Sequence, residues 1–159
     1  MTHLVKSYIS FDSDNDMEYF KMIKSWNKTE ESEFEYVDSL DIKALGLTDK
    51  KTVKDLLKER FKGCEVFTLI VGQNTKNSKF SRLEIETAVF SLHIPQLIVN
   101  LNGSTHFDKN LCSTAVLKFI AVYVPFDKDK FTHTLENLPI LAEKWSVFYF
   151  SDNPPDKKI

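Results

Sequence analysis

Glycine is scarce in this sequence, which has four glycines among 159 residues. None of them falls in a G-x-G-x-x-G or G-x-x-x-x-G-K-[ST] pattern, where glycines let backbone N–H groups approach phosphates closely. The sequence therefore gives no support to a conventional Rossmann or P-loop nucleotide site.

Cysteine and histidine are also few and scattered. Cys64 and Cys112 form no C-x-x-C pair, so neither a disulfide framework nor a zinc knuckle is indicated. The four histidines follow no spacing typical of metal ligands. We therefore predict no metal site and no resident cofactor.

Long apolar runs and an excess of positive charge are missing as well. No segment approaches the roughly 18 consecutive apolar residues of a membrane helix, and the start of the chain lacks a secretory signal pattern. The 21 Lys and Arg residues are balanced by 23 Asp and Glu residues, with no basic block. We expect a cytoplasmic protein with neither a membrane nor a nucleic acid as partner.

Apolar residues make up 42% of the chain, enough for one packed domain, which we place at 1–150 before a loose tail at 151–159. Apolar, β-branched and aromatic runs predict strands, the last of them as a fifth strand or a strand with a bent end. These runs are 4–11, 34–38, 64–72, 95–101 and 116–126. Helical periodicity lies between them, and near the end of the chain it predicts a helix at 128–135 and a separate segment at 145–150.

Strands that alternate with helices indicate an α/β fold, and about five of them suggest a flavodoxin-like, doubly wound, mostly parallel sheet. In such sheets a ligand lies at the carboxyl ends of the strands, beside the point where strand order reverses. The loops after the first and third strands, 10–16 and 72–79, should therefore meet at a ligand site.

Other sites at these loops fit the residues poorly. "DSDNDM" has Met17 where a calcium loop needs glycine and Ile23 where it needs glutamate. A phosphoacceptor receiver domain requires an aspartate at the end of the third strand, where this chain reads "LIVGQN". No G-x-S-x-G or cysteine signature supports acyl transfer.

Glu84 has two interpretations. Together with Ser81 it fits the S-x-x-E capping box, in which each side chain satisfies a free backbone N–H of the other residue. Alternatively, Glu84 faces a pocket and contacts a substrate. The two roles do not exclude each other.

The loop and helix after the third strand, "GQNTKNSKFSRLEIETA", carry a family resemblance, as do "YISFDSDND" and "FEYVDSLDI". Together they resemble the TIR and TIR-like proteins, most closely the bacterial sensors of the Thoeris antiphage system. The family pattern S-x-W-x-x-x-E-[LI] reads here as Ser78, Phe80, Glu84 and Ile85. Phe80 keeps an aromatic ring but lacks the N–H donor of the usual tryptophan.

This resemblance, which runs from about Lys6 to Leu101, implies an NAD+-consuming activity. The bond between nicotinamide and ribose is cleaved, and hydrolysis or cyclisation then gives an ADP-ribose derivative. In the antiphage branch, that product is a signal that activates a separate effector protein, so the implied partners are NAD+ or a related nucleotide, the effector and further copies of this chain.

The resemblance also implies the site residues. Cleavage of an N-glycosidic bond builds positive charge on the ribose, which a fixed carboxylate stabilises most in the transition state. Glu84 is therefore the expected catalytic residue. The expected substrate-binding residues, by hydrogen bonding or ring stacking, are Ser10, Phe11, Asp12, Asp38 and Phe80.

Structural roles stand beside these expectations. Asp12 suits a turn or a helix cap, Asp38 suits a turn, and Phe80 suits core packing. A noncatalytic TIR-like interaction module would keep Glu84 for structure. A receiver-like or nucleotide-sensing domain would bind its ligand without turnover.

Overall fold

The computed structural model describes residues 4–27, 34–38 and 49–149. In chain order, the helices and strands are β1 Lys6–Ser10, α1 Met17–Trp26, β2 Glu35–Asp38, α2 Lys50–Arg60, β3 Val66–Val71, α3 Lys79–Glu86, β4 Gln96–Asn100, β5 Ala121–Pro125 and α4 Lys128–Tyr149. A π-helical turn, Thr87–Ser91, extends α3. The predicted tail, 151–159, lies outside the described residues.

The five strands form one parallel sheet in the order β2-β1-β3-β4-β5. The order reverses at β1, where Ile9 pairs with Asp38 of β2 and Ser10 pairs with Leu69 of β3. The predicted flavodoxin-like α/β arrangement is confirmed. Every residue of β3 and β4 is buried, as expected of central strands covered by helices on both faces.

Successive side chains of β1 point to opposite faces of the sheet and contact different helical layers. Tyr8 stacks on Phe61, which follows α2, with 4.2 Å between ring centroids. Phe11, which points to the other face, packs edge-on against Phe20 of α1 at 4.5 Å. The helices α2 and α3 thus cover one face, while α1 and α4 cover the other. None of the helices in the described ranges is both long enough and apolar enough to cross a bilayer.

The fifth strand is shorter than predicted, because its first residues form a 3-10 turn, Thr114–Lys118, and β5 begins only at Ala121. Ser113 caps this turn by accepting a hydrogen bond from the backbone N–H of Ala115. The buried Gln96 side chain donates a 2.9 Å hydrogen bond to the Val116 carbonyl, so that carbonyl is already satisfied without a strand partner.

The prediction of two separate segments at the end of the chain, 128–135 and 145–150, is wrong. One helix, α4, runs from Lys128 to Tyr149 with Pro139 inside it. A proline in a helix interior costs roughly 3 kcal/mol because it removes one hydrogen bond and crowds the preceding turn. Buried Leu135, Leu138 and Ala142 lie on both sides of the proline, so packing against the sheet offsets that cost.

Candidate functional site

The loops after β1 and β3 meet at the carboxyl edge of the sheet, as the predicted topology requires. Between them and the loop after β4 lies an opening that we call the strand-end cleft. Its volume of about 390 Å³ falls within the range of about 300–1,000 Å³ typical of small-molecule sites. Its lining includes Asn15, Asp16, Tyr19, Gly72, Asn74 and Asn102.

The Asp16 carboxylate lies directly on the backbone of Gly72. A Cβ atom at position 72 would come within 2.4 Å of Asp16 Oδ2, so only glycine permits this approach. The Gly72 N–H is already used, since it donates a 2.8 Å hydrogen bond to Thr75 Oγ1. Asp16 is 6% exposed, and its buried Oδ2 finds no hydrogen-bond partner in the described part of the chain.

This environment disfavours the charged form of the carboxylate. Burial raises the pKa of Asp16 above its ordinary value of 3.8, and the negative charges of Asp12 and Glu18 raise it further. A buried acid with a perturbed pKa beside a cleft is a frequent feature of functional sites.

Asp12 shapes the loop instead of lining the cleft. Its Oδ1 accepts a 3.2 Å hydrogen bond from the backbone N–H of Asp14, and its Oδ2 accepts one of 2.7 Å from the Asn15 side chain. Helix α1 begins after Asp16, whose side chain makes no capping hydrogen bond. Asp12 thus closes the turn before α1, while the N-cap position itself is Asp16.

Glu84 and Ser10 are brought together on the other face of the sheet. Both are fully buried, and the Ser10 hydroxyl donates a 2.8 Å hydrogen bond to Glu84 Oε1. Ser10 shares its face of β1 with Tyr8, which packs on the α2 side, whereas Phe11 points towards α1. Glu84 accordingly does not line the strand-end cleft.

The predicted capping box of Ser81 and Glu84 is wrong. Helix α3 begins at Lys79, and its N-cap is Ser78, whose Oγ accepts a 3.2 Å hydrogen bond from the Ser81 backbone N–H. Ser81 is the third helical residue, and its buried Oγ has no hydrogen-bond partner among the described residues. A capping box therefore does not explain why a glutamate occupies position 84.

The remaining predicted substrate-binding residues are Phe11, Phe80 and Asp38. Phe11 packs on Phe20, and Phe80 is half-buried against the core. Asp38 ends β2 opposite Ile9, but its side chain lies outside the described part of the structure. Neither Phe11 nor Phe80 lines the strand-end cleft, and the substrate contacts of all three residues stay predictions.

Sequence reasoning missed the contribution of the loop after β4. Asn100, at the end of β4, donates 3.0 Å hydrogen bonds to the carbonyls of Ser104 and His106, which folds this loop back on itself. Leu101 and Asn102 thereby become part of the cleft wall. An asparagine at the end of a buried strand is a weak signal for such a loop.

The polar side chains that line the cleft are either acidic or uncharged. Among the described residues, Asp16 and Glu18 line the cleft, and no Lys, Arg or His does. In the described ranges, no three His, Cys, Asp or Glu side chains are grouped to hold a metal ion. The cysteines are unsuited to act as nucleophiles, since burial raises the pKa of Cys64 to about 11 and that of Cys112 to about 12.

Residues 8–106 match the family model described as the Thoeris protein ThsB, TIR-like domain. The matched region contains Ser10, Glu84 and all of the cleft residues except Leu111.

Proposed function

The chain belongs to the TIR-like domain family of the Thoeris protein ThsB, and we propose that it cleaves the nicotinamide–ribose bond of NAD+ with Glu84 as the essential carboxylate. Family membership supports a TIR-type role in antiphage defence. In this proposal the product is a cyclic ADP-ribose derivative that activates a separate effector protein.

The observation that carries the proposal is the fixed position of the Glu84 carboxylate. It lies at the carboxyl edge of the sheet beside β1, where strand order reverses, and the Ser10 hydroxyl holds its Oε1. A negative group that is held in place before reaction stabilises a developing cation without reorganising, and a buried setting strengthens the effect. Glu84 meets these conditions through its position and its Ser10 contact.

The proposed reaction requires few protein groups besides this carboxylate. The bond between ribose C1′ and the pyridinium nitrogen breaks, and its electron pair leaves with nicotinamide, which is then neutral. The remaining ribosyl cation is stabilised by the carboxylate until a nucleophile adds to C1′. Exclusion of water favours an internal nucleophile, which gives a cyclic product.

Access to Glu84 is a condition of this proposal. The residue has no exposed surface, so substrate contact requires neighbouring groups to move aside. Assembly of several copies or an infection-derived trigger would supply such a movement. The activity is therefore expected to depend on protein concentration.

The test incubates the protein with NAD+ at low and high protein concentration and follows nicotinamide release. Glu84→Gln is expected to abolish release. Glu86→Gln is the matched control, because Glu86 lies on the same helix and pairs with Arg82 on the surface at 3.4 Å. Equal activity of the wild type and the Glu84 variant would contradict the proposal.

The full burial of Glu84 favours one rival function, a noncatalytic TIR-like interaction module. In that case the hydrogen bond from Ser10 serves only to tie α3 to β1. The rival predicts no nicotinamide release at any protein concentration, together with a loss of stability in Glu84→Gln.

A further inference from the structure

The strand-end cleft is separate from Glu84. The cleft opens on the face of the sheet that α1 covers. Glu84, a residue of α3, lies on the opposite face, where it contacts Ser10. The proposed NAD+ cleavage therefore leaves the cleft without a role. The cleft has features of its own that point to a ligand.

Its most informative atom is Oδ2 of Asp16. A buried carboxylate oxygen without a hydrogen bond costs free energy, so such atoms are rare unless something outside the chain satisfies them. The N–H of Gly72, whose backbone Asp16 approaches, donates to Thr75, and no donor of the described residues reaches Oδ2. A ligand that enters the cleft with a hydroxyl or amine donor would complete this site.

The walls suit a flat ring next to that donor. Tyr19 is half-buried and held edge-on against Phe126 at 5.2 Å between centroids. Leu101 and Leu111 add half-buried apolar surface from the loops after β4. An aromatic and aliphatic wall beside a buried hydrogen-bond acceptor is the usual composition of a small-molecule site.

The rim adds groups that both donate and accept hydrogen bonds. The amides of Gln73, Asn74 and Asn102 are exposed at the mouth of the cleft. They can bond the edge of a heterocycle or the hydroxyls of a sugar.

Charge decides which ligands are excluded. In the part of the chain that the structure describes, the lining carries the carboxylates of Asp16 and Glu18 and no cationic side chain. A phosphate group would be repelled by these acids and would find no cation to pair with. A neutral or cationic ligand is favoured.

We propose that the strand-end cleft binds a nucleoside through its base and ribose, with a ribose hydroxyl donating to Asp16 and any phosphates kept outside. Carboxylates that bond ribose hydroxyls at the carboxyl edge of parallel sheets have a clear physical logic, because an ionised acid accepts two donors at once. The site does not depend on catalysis by Glu84.

Proton linkage gives the proposal a second signature. Burial and neighbouring acids raise the pKa of Asp16 in the free protein, and a hydroxyl donor from the ligand stabilises the ionised form. Binding should therefore release protons near the pKa of free Asp16, and affinity should rise as pH increases through that pKa.

The experiment is calorimetric titration at fixed ionic strength with nicotinamide riboside as the cationic probe, adenosine as the neutral one, and AMP and inorganic phosphate as anions. The expected order of affinity is nicotinamide riboside above adenosine above AMP, with no binding of phosphate. Failure of both nucleosides to bind, or tighter binding of the anions, would overturn the proposal.

Variants locate the binding. Asp16→Asn should weaken nucleoside binding roughly ten-fold, because it replaces a hydrogen bond to a charged acceptor by a neutral one. Gly72→Ala should weaken it similarly, since the added Cβ displaces the carboxylate. Asp14→Asn, an exposed change in the same loop, is the control and should keep wild-type affinity. Thermal unfolding confirms that each variant is folded, and unchanged affinity in a folded Asp16→Asn protein would overturn the proposal.

A competition experiment then identifies the source of the nucleoside. It uses Glu84→Gln protein, so that NAD+ is not consumed, with adenosine already bound. Displacement of adenosine by NAD+ supports the site as the holder of one half of the dinucleotide. Retention of adenosine supports it as a site for a free nucleoside.

Discussion

The Ser10 hydroxyl donates a 2.8 Å hydrogen bond to Oε1 of Glu84, although the two residues are 74 positions apart in the chain. The bond joins the end of β1 to the middle of α3 and fixes the direction of a fully buried carboxylate. The orientation of the Glu84 side chain thus depends on a strand that is distant in sequence, and mutation of Ser10 tests this dependence.

Ser10→Ala should lower the free energy of unfolding by about 2 kcal/mol, because a buried carboxylate loses one of its donors. Urea denaturation measures the change. Ser13→Ala, at an exposed position in the next loop, is the control and should stay within about 0.5 kcal/mol of wild type. Equal stability of the Ser10 variant and the control would show that the bond contributes nothing.

The true start of α3 is testable by two serine substitutions. Ser78→Ala removes the observed N-cap and should cost about 1 kcal/mol of stability. Ser81→Ala removes a buried hydroxyl that has no partner in the described structure, so it should be neutral or stabilising. The opposite order of effects would restore the capping box that the sequence suggested.

Asp16→Asn should stabilise the protein at neutral pH. Because the pKa of Asp16 is raised in the folded state, the unfolded state loses its proton first as pH rises from 3.8. The free energy of unfolding of the wild type therefore falls as pH rises from 3.8 to the raised pKa of the folded state. Above that pKa the loss of stability is complete and constant. The advantage of Asp16→Asn over wild type should shrink on acidification, as measured by urea midpoints across the pH range.

The control for this pH series is Asp55→Asn, at an exposed position on α2. A constant difference between Asp16→Asn and wild type from neutral to acidic pH would contradict the perturbed environment of Asp16. A stability cost at this acid is consistent with a residue kept for binding.

Pro139→Ala should raise the free energy of unfolding by about 1–3 kcal/mol, because it restores a backbone donor inside α4 and relieves crowding of the preceding turn. Chemical denaturation measures the gain. No gain, or a loss, would mean that α4 bends at the proline in a way that its packing requires.

Much of the architecture was predictable because the apolar runs in the sequence correspond to the buried strands of the sheet. The apolar run ending at Gly72 reads as a central strand, and β3 is buried throughout. The parallel topology predicts that the loops 10–16 and 72–79 meet at one edge of the sheet. The structure confirms that they meet there.

The sequence misled where tertiary contacts outweigh local signals. Pro139 marks a helix end by its chemistry, yet α4 continues because apolar residues on both sides of it reach the core. Ser81 fits a capping pattern, but Ser78 occupies the cap one turn earlier. No local pattern reveals the buried position of Asp16, since its approach to Gly72 depends on how α1 packs over β3.

The central claim is that Glu84 is the carboxylate that NAD+ cleavage requires. The most direct test is the initial rate of nicotinamide release by wild type and Glu84→Gln, at equal folded concentration. Loss of a fixed charge at the reacting centre should lower the rate by roughly 100-fold or more. The account predicts that drop in Glu84→Gln with Glu86→Gln near wild type, and equal rates in all three proteins would contradict it.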